Sequence, residues 1–198
     1  MLYQYITTIL PFLQLFFRKI LETFYLHICH NKDMLNITTQ APEFSLPDQD
    51  GREHTLAYHL KNASQTTPPT RFILLYFYPK DDTPGCTTEA CTIAERYEDF
   101  QRADIKVFGV SKDSVASHKK FAEKYHLPFT LLSDERKETI GAYEAIRESG
   151  PFAGGTARVS YLIAASGTDV GKIIAVYPDV DPATHAAEIL KDIEKLDC

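Results

Sequence analysis

The chain has 198 residues, of which 44% are hydrophobic and 24% charged, enough for one domain with a substantial core and ordinary for a soluble globular protein. A net charge of −6, with no stripe of Arg and Lys, excludes a nucleic-acid partner. Four cysteines are too few for a disulfide framework. Only Cys86 and Cys91 lie close together, while Cys29 and Cys198 sit near opposite ends, as expected of a catalytic thiol pair in a reducing compartment such as the cytoplasm.

Residues 1–33 form an apolar extension. Ile9, Phe12, Leu13, Phe16 and later apolar residues up to Ile28 recur at the spacing of one helical face. Pro11, Gln14, Arg18, Lys19 and Glu22 interrupt a membrane-spanning run, and neither a basic leader nor a cleavage site for a signal peptide is evident. Three readings remain open: a dispensable extension with Met34 as the working start, a membrane anchor, or a helix packed on the domain or a partner. His27, Cys29 and His30 lack the fourth ligand that a metal site needs.

From residue 34 onward a single domain is expected, 34–198. Ala41–Pro47 and Glu53–Leu56, around Asp48-Gln49-Asp50-Gly51, read as a hairpin with an Asp-Gly turn. Residues 62–70 read as an exposed polar loop. Strand Phe72–Tyr78, helix Cys86–Gln101, strand Ile105–Val110 and helix Val115–Tyr125 follow. Strand Phe129–Leu132 precedes helix Lys137–Tyr143. Strands Val159–Ala164 and Ile173–Tyr177, joined by the turn Ser166–Gly171, read as antiparallel. Helix Pro182–Leu196 closes the chain. Asp134 and Asp181 are expected helix N-caps, with Pro182 at a first helical position. The alternation predicts an α/β thioredoxin-like fold, a central mixed sheet flanked by helices.

The stretch Tyr76-Phe77-Tyr78-Pro79-Lys80-Asp81-Asp82-Thr83-Pro84-Gly85-Cys86 carries the chemistry. An apolar strand ends at Pro79, a polar turn follows, and Cys86 falls in the first turn of a helix. Orphan N–H groups and the positive end of the helix dipole there favour thiolate over thiol. Such a sulfur can attack the terminal oxygen of a peroxide and become a sulfenic acid. The attack needs hydrogen-bond donors and a fixed cation. The Thr83 hydroxyl can turn toward the sulfur, Pro79 can wall the pocket, and no local residue supplies the cation.

The spacing Pro79-x-x-x-Thr83-x-x-Cys86 resembles the peroxiredoxin active-site signature, and a second cysteine five residues on resembles the peroxiredoxin Q, or bacterioferritin comigratory protein, group. The resemblance covers about residues 36–196, from Ala41-Pro42-Glu43-Phe44 to Arg158-Val159-Ser160-Tyr161-Leu162-Ile163. It implies that Cys86 is the peroxidatic cysteine and Cys91 the resolving one, with Thr83, Pro79 and Arg158 in support. It also implies a monomer recycled by thioredoxin, without haem, flavin or metal. Glu89 can bond Arg158 or be solvated; both stay open. His118, His126 and His185 show no pairing that suggests acid–base work, and Cys29 and Cys198 read as bystanders.

Residues five apart in an intact helix have Cα atoms about 8.6 Å apart and point about 140° away from each other. A disulfide needs roughly 4.4–6.8 Å. Oxidation therefore has to unwind the turn joining Cys86 and Cys91, with Gly85 as the expected hinge. Two rival functions remain. A thiol–disulfide oxidoreductase characteristically uses Cys-x-x-Cys, which the four intervening residues argue against. A redox sensor or holdase would not consume peroxide at catalytic protein levels.

Overall fold

The computed structural model describes residues 34–149, 153–178 and 180–196. The segment 1–33, with His27, Cys29 and His30, lies outside the described residues, as does Cys198. In chain order come β1 (Ser45–Pro47), β2 (Glu53–Thr55), α1 (Leu56–Asn62), a 3-10 turn (Ala63–Gln65), β3 (Phe72–Phe77), α2 (Pro84–Glu95) and α3 (Tyr97–Arg102). Then follow β4 (Ile105–Ser111), α4 (Val115–Tyr125), β5 (Thr130–Ser133), α5 (Glu138–Ala142), β6 (Val159–Ala164), β7 (Ile173–Tyr177) and α6 (His185–Leu196).

The main sheet has the order β5-β4-β3-β6-β7. β3 and β4 run parallel, as do β4 and β5; β6 is antiparallel to β3, and β7 to β6. β3 is central and covered on both faces, so its sequence is an unbroken apolar run rather than an alternating one. Leu74, Tyr76 and Tyr78 face a layer containing α2, α3, α4 and α6. Ile73, Leu75 and Phe77 face the opposite layer, with the β1–β2 hairpin, α1 and α5. This is the expected thioredoxin-like mixed sheet flanked by helices. At the β3–β4 pairing Tyr76 lies beside Gly109, and a Cβ on Gly109 would fall 2.6 Å from Tyr76 Cζ. The phenol ring thus occupies the space where β4 has no side chain.

Several elements differ from expectation. Leu56 opens α1 instead of ending the hairpin, because the Thr55 side chain caps that helix by accepting from the Tyr58 N–H at 3.1 Å. The loop 62–70 is not wholly exposed: Ala63 and Thr70 are buried, and the Thr70 N–H donates to the Ala63 carbonyl at 2.8 Å. The helix expected over Cys86–Gln101 is two helices. At Arg96 (φ −105°, ψ 13°) the N–H bonds back to Ile93, three residues away, and the tightened turn re-aims the chain before Tyr97. Lys137, at φ 57°, precedes α5, yet Asp134 still caps it by accepting from the Glu138 and Ile140 N–H groups. Asp181 accepts from the Ala183 N–H, and a turn over Pro182–Thr184 precedes α6. Among the described residues no helix is long and apolar enough to cross a membrane.

Candidate active site

Thr83 is the N-cap residue of α2 and Pro84 takes its first helical position, where a missing N–H costs nothing. Cys86 is therefore the third residue of the helix, and its N–H has no partner one turn back. Cys86, Glu89, Ala90 and Ile93, at i, i+3, i+4 and i+7, form the buried stripe of α2. Cys91 is off that stripe and only half-buried.

The cation missing from the local sequence comes from β6. Phe77 at the end of β3 pairs with Val159 at the start of β6, which brings Arg158 beside the N-terminus of α2. Arg158 Nη2 donates to Cys86 Sγ at 3.2 Å, across 72 residues of chain. Its Nη1 pairs with the Glu89 carboxylate. Cys86 is 2% exposed and Glu89 fully buried, so the guanidinium lies between a buried sulfur and a buried carboxylate. Gly85 makes room for it, since a Cβ there would lie 3.2 Å from Arg158 Nη2.

Burial pushes the Glu89 carboxyl up to about 7, even with Arg158 beside it. Burial opposes the charge on Arg158, but Glu89 and then Cys86 outweigh it and hold the guanidinium above the ordinary arginine value. Burial, then the charge of Glu95 one turn further along α2, pushes the Cys91 thiol up. Burial and next the Glu89 charge push the Tyr76 phenol well up. The Tyr76 hydroxyl and Glu89 Oε1 are both buried and have no hydrogen-bond partner among the described residues.

The Thr83 hydroxyl donates to the Lys80 carbonyl at 3.0 Å, which leaves its oxygen free to accept. Pro79 is half-buried just beyond the end of β3. Arg158 thus contacts both Cys86 and Glu89, and of the two readings open for Glu89 the structure has the Arg158 bond.

Two histidines do have partners, contrary to the sequence reading. His118 is fully buried, with Nδ1 2.9 Å from Asp81 Oδ2 and Nε2 3.2 Å from the Leu132 carbonyl. His185 is fully buried, with Nε2 2.8 Å from Ser160 Oγ; burial and then Arg158 push it down to about 4. Their partners lie 37 and 25 residues away in sequence, so only the folded register joins them. The one local signal is the position of Asp81 inside the active-site stretch. On the opposite layer Asp48 Oδ2 is 2.9 Å from His54 Nε2, and His54 Nδ1 is 3.0 Å from His59 Nε2. Burial pushes His59 down to about 3, and its ring lies tilted against Phe108 in a set that ties the hairpin to α1. Among the described residues no group of three His, Cys, Asp or Glu side chains is arranged to hold a metal ion.

Residues 37–168 match the AhpC/TSA family. A protein of Coxiella burnetii named putative peroxiredoxin bcp is 38% identical over 159 residues, 79% of this chain and 97% of that protein. The chloroplastic peroxiredoxin Q of Triticum aestivum is 38% identical over 156 residues, 78% of this chain but only 65% of that longer protein. Among solved structures, a Xanthomonas campestris bacterioferritin comigratory protein, described for its alkyl peroxide reduction activity, superposes with a TM-score of 0.68 at 29% identity. That superposition covers 78% of this chain and 92% of the other. A strand-to-helix cysteine held by a distant arginine and a family match over most of the domain agree: the chain belongs to the AhpC/TSA family, as a peroxiredoxin of the Q/bcp group, a thiol-dependent peroxidase.

Proposed function

We propose that the domain 34–198 reduces hydrogen peroxide and small organic hydroperoxides with Cys86 as the peroxidatic cysteine. The carrying observation is the Arg158 Nη2–Cys86 Sγ contact of 3.2 Å at the N-terminus of α2. A fixed cation and a helix N-terminus together stabilise sulfur as an anion and draw charge toward the breaking O–O bond. The Cys86 thiolate attacks the terminal peroxide oxygen; an S–O bond forms, the O–O bond breaks, and the alcohol or water leaves with the substrate proton. The sulfenate left on Cys86 takes a proton from solvent to become the sulfenic acid. The Thr83 oxygen accepts from the peroxide hydroxyl and Pro79 walls the pocket. Glu89 holds the Arg158 guanidinium in position.

Cys91 then attacks the Cys86 sulfenic acid and water leaves as the S–S bond forms. The two cysteines lie on one intact helix, so this step requires α2 to unwind. A thioredoxin-like dithiol returns the enzyme to its reduced form. The protein acts as a monomer in the cytoplasm, with any membrane association confined to residues 1–33 and lost from a chain that starts at Met34.

The test is an intact-mass measurement and peptide map after one equivalent of hydrogen peroxide. The expected product is lighter by two hydrogens and carries a Cys86–Cys91 cross-link. A stable Cys86 sulfenic or sulfinic acid, or a link to Cys29, Cys198 or another chain, would remove Cys91 from its role. An unmodified Cys86 would overturn the peroxidase reading. Turnover that thioredoxin and its reductase do not sustain would overturn the choice of reductant.

A further inference from the structure

The loop that carries Pro79 and Thr83 is bound to α4 far more firmly than its polar sequence suggests. Asp81, 7% exposed, is the buried anchor. Its carboxylate accepts from the Tyr78 hydroxyl at 2.7 Å and the Ser117 hydroxyl at 2.7 Å, and lies 2.9 Å from His118 Nδ1. Its own backbone N–H donates to Asp113 Oδ2 at 2.8 Å. The far nitrogen of His118 faces the Leu132 carbonyl, so both ring nitrogens meet an acceptor and the ring locks α4 to β5. Next along the chain Asp82, in the left-handed region at φ 54°, accepts from Lys124 Nζ at 2.7 Å and the Tyr125 hydroxyl at 2.6 Å. The two adjacent aspartates therefore grip both ends of α4.

The other side of Cys86 is held differently. Among the described residues, polar ties from α2 to the rest of the domain include the Arg158 bonds to Cys86 and Glu89 and the Thr92 hydroxyl, which donates to the Pro182 carbonyl at 3.0 Å. These lie within or beyond the stretch that must unwind. A buried, fully bonded network is costly to open, whereas a helix of little more than three turns opens locally.

We propose that Asp81 and Asp82 are positioning residues that keep the peroxide-binding loop fixed to α4 while α2 unwinds, so that motion starts after Thr83 and the site reassembles on a standing platform. The inference rests on the reading that Cys86 and Cys91 form a disulfide. It makes the two chemical steps separable: Asp81 serves the attack on peroxide and not the closure of the disulfide.

The test is amide exchange on the full chain, reduced and after one equivalent of hydrogen peroxide, with the disulfide checked by peptide map. The Asp81 amide is expected to keep its protection in both forms, while amides from Thr87 to Glu95 lose theirs. Equal loss at Asp81 with the Cys86–Cys91 disulfide present would overturn the inference alone. Absence of the disulfide would overturn the reading beneath it, and the inference with it. In stopped-flow measurements Asp81→Asn should slow sulfenic acid formation by roughly tenfold to a hundredfold, as displacement of a positioned group by about 1 Å does, and leave disulfide closure unchanged. The exposed Asp82→Asn should slow the same step to a smaller degree and is not expected to disturb folding. Equal slowing of both steps, or of neither, in either variant would overturn the assignment.

Discussion

Glu89 and Cys91, both on α2, have their acid groups pushed up, in each case by burial first. Glu89 keeps its proton up to about 7 in the folded protein, against 4.5 for a free carboxyl. As pH rises through that window the unfolded chain releases the proton and the folded chain holds it. Stability contributed at this site therefore falls with rising pH between 4.5 and about 7, then levels. Glu89→Gln should accordingly gain stability relative to the parent as pH rises through the window, checked by thermal melts of both proteins from pH 4.5 to 8. A constant difference across that range would mean that Glu89 is ionised throughout. For Cys91 the shift acts on a rate. Burial and the Glu95 charge disfavour its thiolate, so disulfide closure should still be accelerating with pH above the ordinary cysteine range near ~8.5. Glu95→Gln removes the second cause and should quicken closure at pH 7, measured by stopped flow; unchanged closure would place the barrier in the helix and not in the thiol.

For the elements, α2 carries two demands that conflict. Wound, it holds Cys86 against Arg158; unwound, on the mechanism proposed above, it would let Cys91 reach Cys86. Its stability therefore sets how long the sulfenic acid persists. Thr88 is exposed on α2, with its hydroxyl donating to the Pro84 carbonyl at 2.9 Å. Thr88→Ala improves helix propensity by about 0.5 kcal/mol, so it should slow disulfide closure roughly twofold and raise the fraction over-oxidised to sulfinic acid, read by mass spectrometry. The start of α2 is only approximately legible: the sequence reading opens the helix at Cys86, whereas Thr83 is its N-cap and Pro84 its first residue, two positions earlier. α1 is not legible. Leu56-Ala57-Tyr58-His59 follows β2 with no Gly or Pro between them, and its second amide, at Ala57, is capped at 3.0 Å by Glu43, 14 residues earlier. The break at Arg96 has no Gly or Pro to announce it either.

Across the whole molecule, the sheet divides the core into two layers, and the proposed chemistry lies in one. Ile93 and Ile189 pack in the layer of α2, whereas Ile140 and Ile163 pack on the far side. Oxidation should shift the methyl resonances of Ile93 and Ile189 and leave those of Ile140 and Ile163 in place; shifts of similar size in both layers would show that the sheet itself moves. The alternation of strands and helices makes the α/β class readable from patterning, while the strand order β5-β4-β3-β6-β7 is seen only in the folded chain. The site is readable only in part. Cys86, Thr83 and Pro79 share one stretch, but Arg158 is linked to them by the β3–β6 register and is found in the sequence only through family resemblance. Asp81 with His118, and Ser160 with His185, are joined by packing between elements, which no local spacing encodes.

The space beneath Tyr76 carries that dependence one strand further. Tyr76 stacks on Tyr78 with ring centroids 5.5 Å apart, and Tyr78 holds Asp81. The absence of a side chain at Gly109 is thus what leaves room for Tyr76, the ring on which Tyr78 stacks. In a saturation library scored for peroxide resistance, Gly109 should tolerate no replacement, not even Ala, although it belongs to no motif and lies outside the active-site stretch. The shape of an enzyme's floor can be selected as strictly as its nucleophile.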